Sequence, residues 1–206
     1  MADSKPIYSM SFTTGALLFR ECLTVVELYG KLGGWEAVRD AVQAENLLQM
    51  RTRNASVRIC REVISRLKLL TTNQIDILHS SSRQEQAYLL WLAVCKRYRF
   101  IYEFAADVVR EKYVRFDFKL TYDDYDLFFN AKAEWHPEVA RVAPATRGKQ
   151  RQFVFKMMRE ADLLSTSGQI QPALLTPQLV GAIEQDDAAH FTIYPVTDSA
   201  IREWNK

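Results

Sequence analysis

Residues 83–104 read RQEQAYLLWLAVCKRYRFIYEF. Tyr88, Leu89, Leu90, Trp91, Leu92, Val94, Phe100, Ile101 and Phe104 leave this stretch with almost no polar face. A helix that is apolar nearly all round is packed on several sides. The same helical pattern carries on to about residue 112, so 84–112 reads as a central helix, or a pair of helices, at the core of the fold. It does not read as a membrane span, because the longest apolar run, 87–95, stops at Lys96 and Arg97, far short of the roughly 20 residues a bilayer requires.

Working outward, the remaining sequence points the same way. The chain has 206 residues, 48% of them hydrophobic, with only 7 glycines and 6 prolines, which suits a mostly α, compact helical bundle with a real core. Toward the N-terminus, Thr13 or Thr14 caps a helix over 15–29 that Gly30, Gly33 and Gly34 end. A second helix follows over 35–50, a third over 54–70 with Asn54 as its cap, and a short one over 73–79. Toward the C-terminus, Thr121 precedes Asp123 and Asp124 at the head of a helix over 122–133, where carboxylates complement the helix dipole. Trp135, His136 and Pro137 break the chain before Pro144 or Thr146 introduces a long helix ending at 164. Ser165-Thr166-Ser167-Gly168 then separates short apolar pieces, as in a small β-hairpin. Helix, short helix, long basic helix and hairpin is the order of a winged helix-turn-helix. The expected division is an N-terminal helical domain over 1–118 and a C-terminal winged-helix-like domain over 119–206.

The formal net charge is only +2, yet the cations are clustered. Arg51, Arg53, Arg58, Arg61, Arg66 and Lys68 stand against the single acid Glu62, while Arg141, Arg147, Lys149, Arg151, Lys156 and Arg159 form a block with no acid among them. On a helical wheel 147–164 places Phe153, Val154, Met157, Met158, Ala161 and Leu164 on one side, with Gly148, Lys149, Gln152, Phe155, Lys156 and Arg159 facing away. Lys and Arg neutralise phosphates or bond guanine, and Gln pairs with adenine, so this face suits a recognition helix. Phe155 among those cations points to packing against a neighbouring part of the fold, with base stacking as the alternative. The helix over 54–70 offers Arg58, Arg61, Ser65 and Lys68 along one stripe, with Arg51 and Arg53 in its approach. Such an array suits phosphate contacts without base readout. Of the two faces, the later one is expected to read DNA, and the alternative for either is a solvated helix surface. Lys96, Arg97 and Arg99 are expected to pair with acids such as Glu103.

The search for chemistry is negative. There is no Gly-rich phosphate loop, HExxH or nucleophile elbow, so no enzyme is expected. Cys22, Cys60 and Cys95 are widely spaced in apolar helical contexts and read as core residues of a reducing compartment. Asp123, Asp124 and Asp126 read as a helix start rather than a metal site, so neither metal nor cofactor is expected. Residues 1–10 lack the basic start and apolar run of a signal peptide.

Three strings carry a family resemblance: YSMSFTTGALLF at 8–19, the opening stretch at 83–104, and YDDYDLFFNAKAEWHPE at 122–138. They resemble the BrxA proteins of BREX bacteriophage-exclusion systems, over most of the chain. The resemblance implies a helical, cytoplasmic component of a bacterial defence island, encoded beside a methyltransferase, an ATPase and a phosphatase-like protein, that binds double-stranded DNA and has other BREX proteins as partners. It supplies no catalytic or binding motif to carry over. The main expectation is a non-enzymatic DNA-binding accessory component. The alternative is a scaffold that docks other defence subunits, motivated by Phe155 and by the aromatic excess of the central helix. Oligomeric state stays open.

Overall fold

The computed structural model describes residues 7–204. In chain order the helices are α1 (Phe19–Leu32), α2 (Trp35–Glu45), α3 (Arg53–Leu67), α4 (Thr72–Ser80), α5 (Arg83–Arg97), α6 (Arg99–Phe104), α7 (Glu111–Val114), α8 (Tyr122–Ala133), α9 (Pro137–Ala140), α10 (Pro144–Glu160), α11 (Pro177–Asp187) and α12 (Asp198–Trp204). A π-helical stretch, Ala105–Arg110, joins α6 to α7, and a 3-10 stretch, Ala188–Ile193, follows α11.

The opening stretch forms the centre. Ser82 starts α5 with a capping box, its backbone N–H donating to Glu85 Oε2 at 3.0 Å, which satisfies donors a helix start otherwise leaves bare. Ala87 to Cys95 are all buried, because α1, α3, α4, α6, α10 and the 3-10 stretch surround α5. The polar edges of its aromatics are answered: Trp91 Nε1 donates to the Ile193 carbonyl at 3.1 Å, and the Tyr88 hydroxyl accepts from the Leu174 N–H at 3.2 Å. The pattern over 84–112 resolves into consecutive helices rather than one. Tyr98, at φ −124° and ψ 90°, ends α5, and its buried hydroxyl donates to Glu62 Oε1 at 2.6 Å.

Several boundaries differ from expectation for local reasons. Neither Thr13 nor Thr14 caps α1; Leu18 takes the left-handed conformation (φ 56°) and the helix starts at Phe19. The second helix stops at Glu45, because Asn46 is left-handed (φ 48°) and its side-chain amide closes the loop on the Met50 N–H and carbonyl. Thr52, not Asn54, caps α3 by accepting from the Ala55 N–H at 3.2 Å. Thr121 caps α8 as read, in a capping box with Asp124.

The winged helix-turn-helix and its small β-hairpin are not formed. After α10, Asp162 turns left-handed (φ 56°), and among the described residues only two isolated antiparallel bridges follow, Leu164 with Ile170 and Lys119 with Gln169. A wing needs strands of at least three or so paired residues. Here the arms share the Ser165 N–H to Gln169 O and Gln171 N–H to Leu163 O bonds, Phe118 O and the Leu120 N–H take the Ile170 N–H and Gly168 O, and Pro172 has no N–H to extend a ladder. Gly168 is required at φ 81°, since a Cβ there would lie 2.9 Å from the Leu120 carbonyl. The sequence reading also missed α11, which Thr176 caps and Pro177 begins. Contacts cross residue 118 at several points. Leu17 N–H donates to Glu160 at 2.8 Å, Gln150 Nε2 to the Met10 carbonyl at 2.5 Å, and Gln74 Nε2 to the Ala182 carbonyl at 3.0 Å.

Candidate nucleic-acid interface

The structure divides the sequence-selected cations into those that hold the fold together and those left free. On α10, Arg147 Nε donates to Asp126 Oδ1 at 2.8 Å and its Nη1 to Asn130 at 2.8 Å, while the guanidinium lies 4.4 Å from the Phe129 ring centroid. Arg151 pairs with the other oxygen of Asp126 and lies 4.4 Å from the Tyr122 ring centroid. Both therefore clamp α10 to α8, with Asp126 as the shared anion. Lys149 and Gln152 are exposed without a partner among the described residues, Lys156 is 3.7 Å from Glu160, and Arg159 is half-buried. Phe155 does not face outward: it is buried against Tyr122, ring centroids 4.8 Å apart, which removes it as a base-stacking residue.

On α3 the outcome is the reverse. Arg58, Arg61 and Lys68, together with Arg51 and Arg53 at the approach, are all exposed, and none has an ion-pair or hydrogen-bond partner among the described residues. The apolar side of the helix, Cys60, Val63, Ile64 and Leu67, is buried, so the basic stripe is fixed facing water. From Arg58 to Lys68 it runs about 15 Å at 1.5 Å per residue, about four base steps of duplex at 3.4 Å each. No acid stands in the first turn of α3, where acids are the usual complement to the helix dipole. One cation of the block is internal: Arg66 is 1% exposed, with Nε 2.7 Å from Glu62 and Nη1 2.7 Å from the Ala16 carbonyl.

Two hollows flank this helix. A cavity of about 360 Å³ between α2 and α3 is lined by Trp35, Arg39, Gln43, Arg61, Ser65 and Lys68 among others. A second, of about 390 Å³, lies at the head of α3 against Arg51, Thr52 and Arg53, and shares Gln43 with the first. Sequence reasoning missed Trp35 and Arg39, although their i, i+4 spacing in the helix it recognised over 35–50 puts them on one face.

Other charged clusters serve the core. Glu103 accepts from Arg99 at 2.7 Å, as expected, and also from Lys132 and Tyr8. Burial works to raise its pKa, but those donors outweigh it and hold the carboxyl below its ordinary value. Lys96 pairs with Asp186 at 2.6 Å, and Arg97 reaches Ser65 at 3.4 Å. Burial pushes the His190 imidazole below its ordinary value although Asp186 lies 3.5 Å away. Asp124 caps α8 and takes Lys112 at 3.2 Å, consistent with the helix-start reading. Cys22, Cys60 and Cys95 are buried and free. Among the described residues no group of His, Cys, Asp and Glu could hold a metal ion, and no helix is long and apolar enough to cross a membrane.

A family model for BrxA matches residues 6–187. The chain belongs to the BrxA family. The matched span contains both basic helices and ends with α11. A BrxA relative from Bacillus cereus (strain H3081.97), described as BREX protein BrxA, is 29% identical over 159 residues, covering 77% of this chain and 79% of its own length. Another with the same description, from Escherichia coli O9:H4 (strain HS), is 22% identical over 173 residues, covering 83% and 81%. The fold also matches the crystal structure of an uncharacterized protein from Magnetospirillum magneticum, with a TM-score of 0.79 at 19% identity, over 93% of this chain and 100% of that one. At that identity the likeness concerns the fold alone.

Proposed function

We propose that this BrxA-family chain is a non-enzymatic, cytoplasmic component of a BREX phage-exclusion system that binds double-stranded DNA, mainly through the basic stripe of α3. The observation that carries the reading is the set of exposed cations Arg51, Arg53, Arg58, Arg61 and Lys68 on one short stretch of chain, without ion-pair partners among the described residues. Charges left free in this way cost little to hold and release counterions when they meet phosphates. The helix α10 takes a lesser part through Lys149, Gln152 and Lys156, its Arg147 and Arg151 being engaged by Asp126. No cofactor enters the proposed role, and the contacts are to backbone more than to bases.

The test is binding of a labelled duplex at low salt by the native chain and by Arg58→Glu/Arg61→Glu, with melting curves as a folding control. A loss of ten-fold or more, at unchanged Tm, is expected. Undiminished binding by that variant, or none by the native chain, removes α3 from the account. A second reading, docking to other BREX subunits, rests on Phe116, which is left-handed (φ 61°) and 80% exposed beside Phe118. Exposed aromatics of this kind anchor protein partners. Absence of duplex binding together with co-purification of another BREX subunit, lost on Phe116→Ser, is the result that favours it.

A further inference from the structure

The groove between α2 and α3 sets a stacked aromatic ring beside cations of the α3 stripe. Trp35 opens α2, and its indole is stacked on Tyr29 of α1, ring centroids 4.1 Å apart and planes 21° apart. That stacking sets the plane of the indole before any ligand arrives. Glu36 and, one turn after Trp35, Arg39 line the same wall from α2, and Arg61, Ser65 and Lys68 line the opposite wall from α3. The Arg39 side chain has only an exposed contact to Asp40 at 3.1 Å, a pairing that water and salt weaken. The hollow, about 360 Å³, is of the size that takes a small ligand, roughly 300–1,000 Å³.

An aromatic platform bordered by cations matches a nucleotide: a base presents a π-face to stack, and its phosphate an anion for Arg or Lys. Phosphate alone gives no use to the indole, and an apolar ligand gives none to three cations. We infer that this groove receives one unpaired nucleotide of a DNA strand, its base against Trp35 and its phosphate between Arg61 and Lys68, on the wall away from the Glu36 carboxylate. This deepens the reading above and rests on it, since Arg61 and Lys68 belong to the same stripe that meets the duplex. The groove then distinguishes distorted DNA, in which a base already lies outside the stack, from an intact duplex, where extrusion has to overcome stacking and pairing.

The experiment compares two labelled duplexes of the same sequence, one fully paired and one with a single unpaired adenine, against the native chain and Trp35→Leu. Binding of the bulged duplex tighter by about 5- to 100-fold is expected, the range that loss of one stacked base produces elsewhere. Trp35→Leu abolishes that preference and leaves affinity for the paired duplex within about two-fold. Equal affinity of the native chain for both duplexes overturns the inference, as does a preference that survives Trp35→Leu, because a bulge also bends DNA more easily. If the leucine variant melts early, 2-aminopurine placed at the bulge reads the same contact in the native chain. Stacking on indole quenches its fluorescence, and unchanged fluorescence on saturation refutes the inference. Failure of the native chain to bind either duplex defeats the DNA reading itself, whereas binding without preference defeats only the nucleotide groove.

Discussion

Replacing Glu62 by alanine is expected to separate the internal cation of α3 from the free ones. In the folded chain Arg66 is 1% exposed and has Glu62 Oε1 at 2.7 Å, with Tyr98 donating to the same oxygen at 2.6 Å. Removing the carboxylate leaves a buried guanidinium with the Ala16 carbonyl as its remaining hydrogen-bond partner. An uncompensated buried charge costs about 3–5 kcal/mol. At about 2.1 cal/mol/K of unfolding entropy per residue, a chain of 206 residues then melts about 7–12 °C lower. Arg61→Ala, five residues earlier on the exposed side, changes Tm by about 1 °C or less, since exposed positions move stability by about 0.5 kcal/mol. The assay is thermal unfolding followed by circular dichroism. Adding Arg66→Met to Glu62→Ala should recover at least half of the loss, because an apolar side chain needs no counter-charge. A fall under 2 °C for Glu62→Ala, or no recovery in the double variant, refutes the assignment of Arg66 to the interior.

Four further outcomes are expected. In a salt series, Arg58→Gln/Arg61→Gln flattens the slope of log K against log [salt] for duplex binding by about 1.8, two phosphate contacts at about 0.9 each, while Lys149→Gln/Lys156→Gln changes it by about half as much. Phe155→Ala lowers stability by about 3–5 kcal/mol in denaturant titration and leaves that slope unchanged, being buried rather than a stacking residue. Because burial lowers the pKa of His190 in the folded chain, its stabilising contribution is complete above the usual histidine value of about 6.5 and is lost as pH falls below it. His190→Gln should flatten the decline of unfolding free energy just below that pH. Gly168→Ala should cost about 1–2 kcal/mol from the left-handed backbone alone, read as a lower urea midpoint.

Periodicity set by neighbours in sequence was legible, although the caps of α1 and α3 fell on other residues than expected; features set by distant partners were harder to read. The all-round apolar pattern of α5 and the Thr121 box of α8 need only local residues, and both are present. The linear run of charge put Arg147 and Arg151 in the basic block, but the Asp126 that engages both comes from α8, 21 and 25 residues earlier. Phe155 falls on the polar side of the α10 wheel, and the packing expected of it is supplied by Tyr122 of α8, a partner the wheel could not name. A wheel cannot show a second helix lying across the face it calls outer. The winged reading failed for a related reason: order of elements was visible, but whether residues 164–170 pair as strands depends on where Phe118 and Leu120 place their own backbone groups. The proposal accordingly leans on α3, whose selected cations have no ion-pair partner among the described residues, more than on α10, which commits two of its own to Asp126.

The π-helical stretch Ala105–Arg110 between α6 and α7 bears on how this chain tolerates change in length. A wider turn accommodates one residue more than an α-turn without breaking the helix. Each residue of α-helix corresponds to about 100° of rotation, but deleting one position within this stretch would draw the wide turn back to α-helical geometry and leave the downstream register nearly unchanged. The pairs of Arg110 with Asp198 and of Lys112 with Asp117 and Asp124 lie downstream and would be carried together. A one-residue deletion within 105–110 should therefore be better tolerated than one in α5, which is packed on several sides and has no such slack.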